Sequence, residues 1–311
     1  MLQRYVRRGA PVKLSFEQLE HAVDCELMGS EAYVKDRLIL LTGASGGIGR
    51  AAVLELARQG ARLLLVCRDA QRGEAVRREV ATLAGTPPEL FLAELSDQDS
   101  IRALARDLRA RHGRLDVLVN NAGTWAARRR EGPQGLELTW ATNVLAYSLL
   151  TELLLPLVAE ARGRVLSVAS RLAHGLQLDD VEFRRRRYNG IAAYAQSKQA
   201  NRLWTWSLAR RVEPLGVSAH ALHPGGVSTG LFRKGGGLSG MLGAVYGWMF
   251  GRTPEQGADT LVWLSGAPEG GSTTGRFWVN RQERTCQFRD PRTEDRLYEL
   301  CLRMAPADGS Y

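Results

Sequence analysis

The strongest constraint on the fold is an alternation that begins at Arg37. Short apolar runs lie at Leu38–Leu41, Arg62–Val66, Leu90–Ala93, Leu115–Val119, Val165–Val168 and Val217–Ala221. Between them lie segments of helical period, such as Gly47–Gln59, Ala70–Thr82 and Asp97–His112. Runs that are apolar throughout, rather than at every second residue, describe strands buried on both faces. Strands alternating with amphipathic helices describe βαβ units, hence a parallel sheet with helices on both faces. The chain of 311 residues is long enough for one such domain with a sizeable core. No Pro- or Ser-rich linker divides it. The expected organisation is an N-terminal extension over 1–36, one domain over 37–285 with a looser insertion near 231–253, and a C-terminal tail over 286–311.

The first apolar run leads into Thr42-Gly43-Ala44-Ser45-Gly46-Gly47-Ile48-Gly49 and then into a helical pattern. Glycines let a backbone turn tightly and approach a pyrophosphate, and the helix start offers free N–H groups at its positive dipole end. A strand before the turn and a helix after it are the context this motif needs. The fold class is therefore α/β, a doubly wound Rossmann sheet, with Gly43, Ser45, Gly47, Ile48 and Gly49 as dinucleotide-binding candidates. The second run ends in Val66-Cys67-Arg68-Asp69. A carboxylate at the end of that strand would accept from a free ribose 2′-hydroxyl, whereas Arg68 suits a 2′-phosphate. NADP is thus expected over NAD, and Asp69 reads as the N-cap of the next helix.

In Tyr194-Ala195-Gln196-Ser197-Lys198 the phenol and the amine are four residues apart, one helical turn along the same face. A nearby ammonium lowers a phenol's pKa and lets it exchange protons near neutral pH. Lys198 is one of only four lysines among 42 basic residues, which sets it apart from the arginine-rich background.

Taken together these motifs resemble the short-chain dehydrogenase/reductase family over residues 37–285. The resemblance extends to Asn120-Asn121-Ala122-Gly123, Asn143, Ser170, and Pro224-Gly225 with Thr229, all in the family's order. Cys67-Arg68-Asp69, Leu95-Ser96-Asp97, Arg171-Leu172-Ala173-His174 and Leu222-His223-Pro224-Gly225 are similar to its retinol dehydrogenase-like branch. The resemblance implies a hydride transfer between a nicotinamide and a carbonyl or alcohol. It makes Tyr194 the general acid or base and Lys198 the holder of the nicotinamide ribose. Ser170 would bond the substrate oxygen, and Asn143 would order a water linking Lys198 to solvent. It also implies that Asn120 ties neighbouring strands and borders the cofactor, and that Thr229 and the backbone near Val227 hold the carboxamide. Glu94 replaces the family's Asp beside the adenine, with Leu95 next to it. His174 and His223 read as structural.

Leu238, Met241, Leu242, Val245, Trp248 and Met249 share a helical face after the sixth strand. In the family that region overlies the substrate, so a lipophilic substrate is expected. A dimer contact and a membrane-skimming surface are the competing readings, and the oligomeric state stays open. Phe16, Leu19, Val23 and Leu27 form a second apolar face in the extension, read as a helix packed on the domain, with a surface anchor as the alternative.

The net charge of +9 comes without a nucleic-acid reader motif, so no nucleic-acid partner is expected. Arg128–Arg130 and Arg184–Arg187 read as solvated loops, with an anionic tail or membrane as the alternative. Cys25, Cys67, Cys286 and Cys301 form no metal or disulfide pattern, which fits a reduced cytoplasmic compartment with peripheral membrane contact left open. No metal site, secretory signal or membrane-spanning run is expected. The rival to an enzyme is an NADP(H)-binding sensor or scaffold, and the presence of all four of Asn143, Ser170, Tyr194 and Lys198 argues for turnover.

Overall fold

The computed structural model describes residues 33–224 and 253–308. Strand β1 (Leu38–Thr42) is buried at every position and pairs in parallel with β2 (Arg62–Cys67) and β4 (Val117–Asn120). Strands β3 (Glu89–Leu92), β5 (Arg164–Val168), β6 (Ser218–His223), β7 (Arg276–Val279) and β8 (Gln282–Glu283) complete one eight-stranded sheet. Its order is β3-β2-β1-β4-β5-β6-β7-β8. Every pairing is parallel except β7 with β8. The chain moves outward from β1 to β3, returns to β4, and then moves the other way. The carboxyl ends of β1 and β4 are therefore the switch point, where a crevice must open between diverging loops.

Two apolar layers sandwich the sheet. Helices α1 (Gly47–Arg58), α2 (Ala70–Ala84) and α6 (Pro254–Gly266) cover one face through residues such as Leu56, Val76 and Leu261. Helices α3 (Gln98–Arg111), α4 (Ala146–Glu160), α5 (Gly190–Val212) and α7 (Pro291–Met304) cover the other. The segment after 285, set apart as a tail in the sequence reading, supplies α7. Its Leu297, Tyr298 and Cys301 are buried in this second layer, and Trp204 of α5 stacks on Tyr298 at 6.4 Å between ring centroids. The apolar period of α7 is short, and only its packing against α5 and α4 identifies it as core.

Caps decide where several helices begin. Asp69 accepts from the Arg72 N–H at 2.9 Å, as expected, and Asp97 from Asp99 N at 3.0 Å. Asn189 accepts from Ile191 N and Ala192 N and starts α5. Helix α1 is different, because its N-cap is Gly46 and no side chain bonds its first N–H groups. Those donors are left for water or a ligand.

A helical stretch over Leu138–Glu160 is long and apolar enough, by length and composition, to cross a membrane, against the sequence expectation of no such run. Polar residues such as Thr142, Asn143, Ser148 and Thr151 interrupt it in sequence while the mean hydropathy stays high. In the fold 78% of its most apolar window is buried inside the protein, so its apolarity is spent on the core between sheet and α3. The apolar face of 238–250, the insertion near 231–253, Val227, Thr229 and the N-terminal face from Phe16 to Leu27 lie outside the described residues, apart from Thr253.

Candidate active site

A cleft of about 370 Å³ opens at the switch point. Its floor is the glycine turn. Gly43 and Gly47 have φ of +71° and +53°, a region that side chains avoid. A Cβ on Gly49 would stand 2.2 Å from the Gly43 carbonyl oxygen, so only glycine lets helix α1 come this close to the strand. The uncapped start of α1, with Ser45, Gly46, Gly47 and Ile48, lines the same cleft. These are the features a pyrophosphate needs: close backbone approach, free N–H donors and a positive dipole end. The residues fit a dinucleotide.

Arg68, Glu94 and Leu95 line the far end of the cleft. Arg68 lies 3.6 Å from Glu94 with two-thirds of its side chain exposed, so that pairing is weak and open to exchange. Glu94 also accepts from the Ser96 N–H and hydroxyl at 3.0 and 2.9 Å, which fixes the turn after β3. The sequence reading missed Arg72. It stands in the first turn of α2, donates to the Ser45 carbonyl at 3.3 Å, and lines the cleft. Two guanidinium groups therefore line the cleft that the glycine turn floors.

Asn120 does not reach the cleft. It is 1% exposed and its amide donates to Thr151 Oγ1 of α4 at 3.0 Å. The tie between strands expected of Asn120 is made one residue later. Asn121 donates to the Thr42 carbonyl at 2.8 Å, while its own N–H and that of Ala122 donate to Thr42 Oγ1. Successive side chains of a strand point to opposite sides, so the choice between two adjacent asparagines depends on register.

Helix α5 brings the expected catalytic groups together. The half-buried Tyr194 phenol hydrogen-bonds the Ser170 hydroxyl, which also accepts from Leu172 N at 3.1 Å. Lys198 lies one turn further along, 3% exposed, and lines the cleft with Tyr194. Its Nζ donates to the Val168 carbonyl at 2.9 Å. Among the described residues that is its one hydrogen bond, and an ammonium has three donors. The others are available to a ligand carrying hydroxyls.

Electrostatics in this state differ from the sequence expectation. Burial among neutral groups pushes Lys198 down to about 7. Burial pushes Tyr194 up to about 12, with the Ser170 hydrogen bond opposing it. Lys198 Nζ is 5.8 Å from the Tyr194 ring centroid, and no carboxylate among the described residues pairs with it to keep it charged. The ammonium's help to the phenol is thus not built into the protein alone.

Asn143 lies in a π-helical turn, Ala141–Leu145, just before α4. Its Oδ1 accepts from Thr124 N at 2.7 Å, and its Nδ2 donates to the Thr124 carbonyl and to Ser197 Oγ, both at 3.0 Å. Ser197 in turn donates to the Tyr194 carbonyl at 2.7 Å. The Asn143 side chain therefore clamps the loop after β4 to the catalytic turn of α5. Inserted π turns of this kind recur at functional sites.

Residues 37–236 match the family described as short chain dehydrogenase. A Streptomyces protein assigned as a daunorubicin C-13 ketoreductase is 40% identical over 248 residues, 79% of this chain and 84% of its own length. Human retinol dehydrogenase 14 is 36% identical over 274 residues, covering 82% and 81%. An Escherichia coli protein assigned as a short chain dehydrogenase, solved in complex with NADPH, superposes with a TM-score of 0.63 at 26% identity. That match covers 81% of this chain and 99% of the other. The glycine cradle, the α5 constellation and these matches lead to one conclusion: the chain belongs to the short-chain dehydrogenase/reductase family, similar to its retinol dehydrogenases, and is an NAD(P)-using oxidoreductase of alcohol and carbonyl groups.

Proposed function

We propose that the protein reduces lipophilic aldehydes or ketones, or oxidises the matching alcohols, with NADP(H) as cofactor. The observation that carries this reading is the Tyr194–Ser170 hydrogen bond with Lys198 one turn along, Tyr194 and Lys198 both lining the glycine-floored cleft. The nicotinamide, when bound, supplies the hydride that the carbonyl carbon takes up.

Tyr194 Oη is the proton donor to the carbonyl oxygen in reduction and the acceptor in oxidation. The Ser170 hydroxyl bonds the same oxygen and orients it, which lowers the entropy that a loosely held substrate would lose. Lys198 would hold the nicotinamide ribose with its spare donors and, once charged there, favour the phenolate of Tyr194. Asn143 keeps the loop and the helix in register through Thr124 and Ser197. Gly43, Ser45, Gly47, Ile48 and Gly49 would cradle the pyrophosphate. Leu95 and Glu94 would border the adenine.

NADP is favoured over NAD because Arg68 and Arg72 both line the glycine-floored cleft. Two guanidiniums there suit a phosphate, which takes the planar fork of arginine well. A lipophilic substrate is favoured by Trp125 and Leu138 in the cleft wall and by relatives named for retinol and for daunorubicin. The test is NADPH consumption with all-trans-retinal, decanal and a polycyclic ketone, compared with NADH. Turnover that prefers NADPH supports the reading. Equal or better use of NADH would remove the role given to Arg68 and Arg72.

A further inference from the structure

The same face of α5 that carries Tyr194 and Lys198 carries Arg202, again four residues on. It is 6% exposed, and no carboxylate among the described residues pairs with it. One guanidinium nitrogen, Nη2, donates to the Ser170 carbonyl. The other, Nη1, donates to Cys286 Sγ at 3.0 Å. The fork lies over the Phe277 ring of β7 at 3.7 Å from its centroid, with Phe288 at 5.5 Å. Helix α5 thus grips the end of β5 through two alternate carbonyls. Lys198 holds Val168, and Arg202 holds Ser170.

A buried cation without a counter-ion is unfavourable, and a methionine or leucine would fill the same space without that penalty. The arrangement uses what only arginine has: a flat face for the ring, and donors that reach two acceptors at once. The Ser170 carbonyl is the acceptor whose position bears on chemistry, because the next atoms out on that residue form the hydroxyl that meets Tyr194. We propose that Arg202 is a positioning residue of the reaction. It pins the Ser170 backbone to α5, braced from behind by Phe277, Cys286 and Phe288, and so sets where the Ser170 hydroxyl meets Tyr194 and the substrate oxygen. This rests on the roles given above to Ser170 and Tyr194.

The experiment compares wild type, Arg202→Met, Arg202→Lys, Ser170→Ala, Tyr194→Phe and the Ser170→Ala/Arg202→Met double variant. NADPH consumption is followed with all-trans-retinal and decanal, and NADPH binding by energy transfer from tryptophan. Hydrogen exchange is read on peptides spanning residues 166–176. A misplaced hydroxyl lowers kcat about 10- to 100-fold in Arg202→Met, with NADPH affinity unchanged. Arg202→Lys keeps one donor for the Ser170 carbonyl and recovers part of the loss. In the Ser170→Ala background the Arg202→Met change adds less than about twofold, because its effect runs through a hydroxyl already removed. Exchange rises at Leu172, whose N–H donates to Ser170 Oγ, and this readout needs no turnover.

The proposal is overturned if Arg202→Met keeps wild-type kcat and Leu172 protection, or if its loss multiplies in full with that of Ser170→Ala. A lowered Tm alone, with both unchanged, assigns Arg202 to packing and also overturns it. If Ser170→Ala and Tyr194→Phe both turn over like wild type, the reading of the site itself fails. If those two are inactive while Arg202→Met is normal, only this inference fails.

Discussion

Replacing Lys198 with methionine should abolish turnover and yet stabilise the unliganded protein. The lysine sits 3% exposed with one neutral acceptor, and burial lowers its pKa from 10.5 to about 7. That displacement corresponds to about 5 kcal/mol of preference for the neutral amine. Between those two values the unfolded chain holds the proton and the folded protein does not, so stability rises with pH across this window. The penalty is absent above the unfolded pKa, grows as pH falls, and is complete below the folded one. Methionine fills a similar volume and removes the penalty. It also leaves the Val168 carbonyl without its donor from Lys198, which costs about 1 kcal/mol.

The net gain in Lys198→Met is therefore about 4 kcal/mol near pH 6, or about 10 °C in Tm for a domain of this size. Near pH 10 the difference shrinks to about zero or changes sign. Scanning calorimetry of both proteins across this range, without cofactor, reads the difference directly. A gap that does not depend on pH, or a variant less stable at pH 6, would refute the reasoning. The first would mean that Lys198 keeps its proton when buried, and the second that its hydrogen bond outweighs its desolvation.

Other consequences are as direct. Arg68→Ala and Arg72→Ala should each weaken NADPH binding by about tenfold, the loss of one charge-assisted contact, and leave NADH nearly unchanged; tryptophan energy transfer measures both. Gly49→Ala places a Cβ 2.2 Å from the Gly43 oxygen and 2.7 Å from Asn121 Nδ2. It should lower Tm and abolish NADPH binding in the same titration. Glu294 in α7 is fully buried against Arg210, with Arg289 3.5 Å away. Glu294→Leu should cost about 1 kcal/mol, because Arg210 is 37% exposed and keeps Asp295 at 2.8 Å as a partner, seen as a slightly lower urea midpoint. A raised midpoint would mean that the buried carboxylate costs more than its ion pairs return.

Much of the architecture is legible from residues alone because parallel strands buried on both faces need no polar positions. The runs at Leu38–Leu41 and Arg62–Val66 appear as β1 and β2 with one residue added at each end nearest the cleft. The glycine turn is legible for a related reason: positive φ and close approach restrict the residue type itself. Tyr194 and Lys198 declare themselves by a local, helical spacing. What escapes the sequence is set by partners far along the chain. Arg72 meets Ser45 across 27 positions, and Arg202 meets Ser170 across 32 and Cys286 across 84. Nothing local marks either arginine among so many. Asn120 ends β4 and Asn121 follows it, and that one residue separates a buried tie to Thr151 from the clasp on Thr42. The pKa values of Tyr194 and Lys198 likewise depend on how deeply the fold buries each of them, which spacing on a helix does not report.

The central claim is that Tyr194 transfers the proton in a site otherwise complete for binding. Tyr194→Phe tests it, with NADPH affinity from tryptophan energy transfer and NADPH consumption on all-trans-retinal measured on the same preparation. The account predicts that the variant binds NADPH like wild type and loses turnover by at least about a hundredfold, the scale of one general acid. Wild-type turnover in Tyr194→Phe would contradict it.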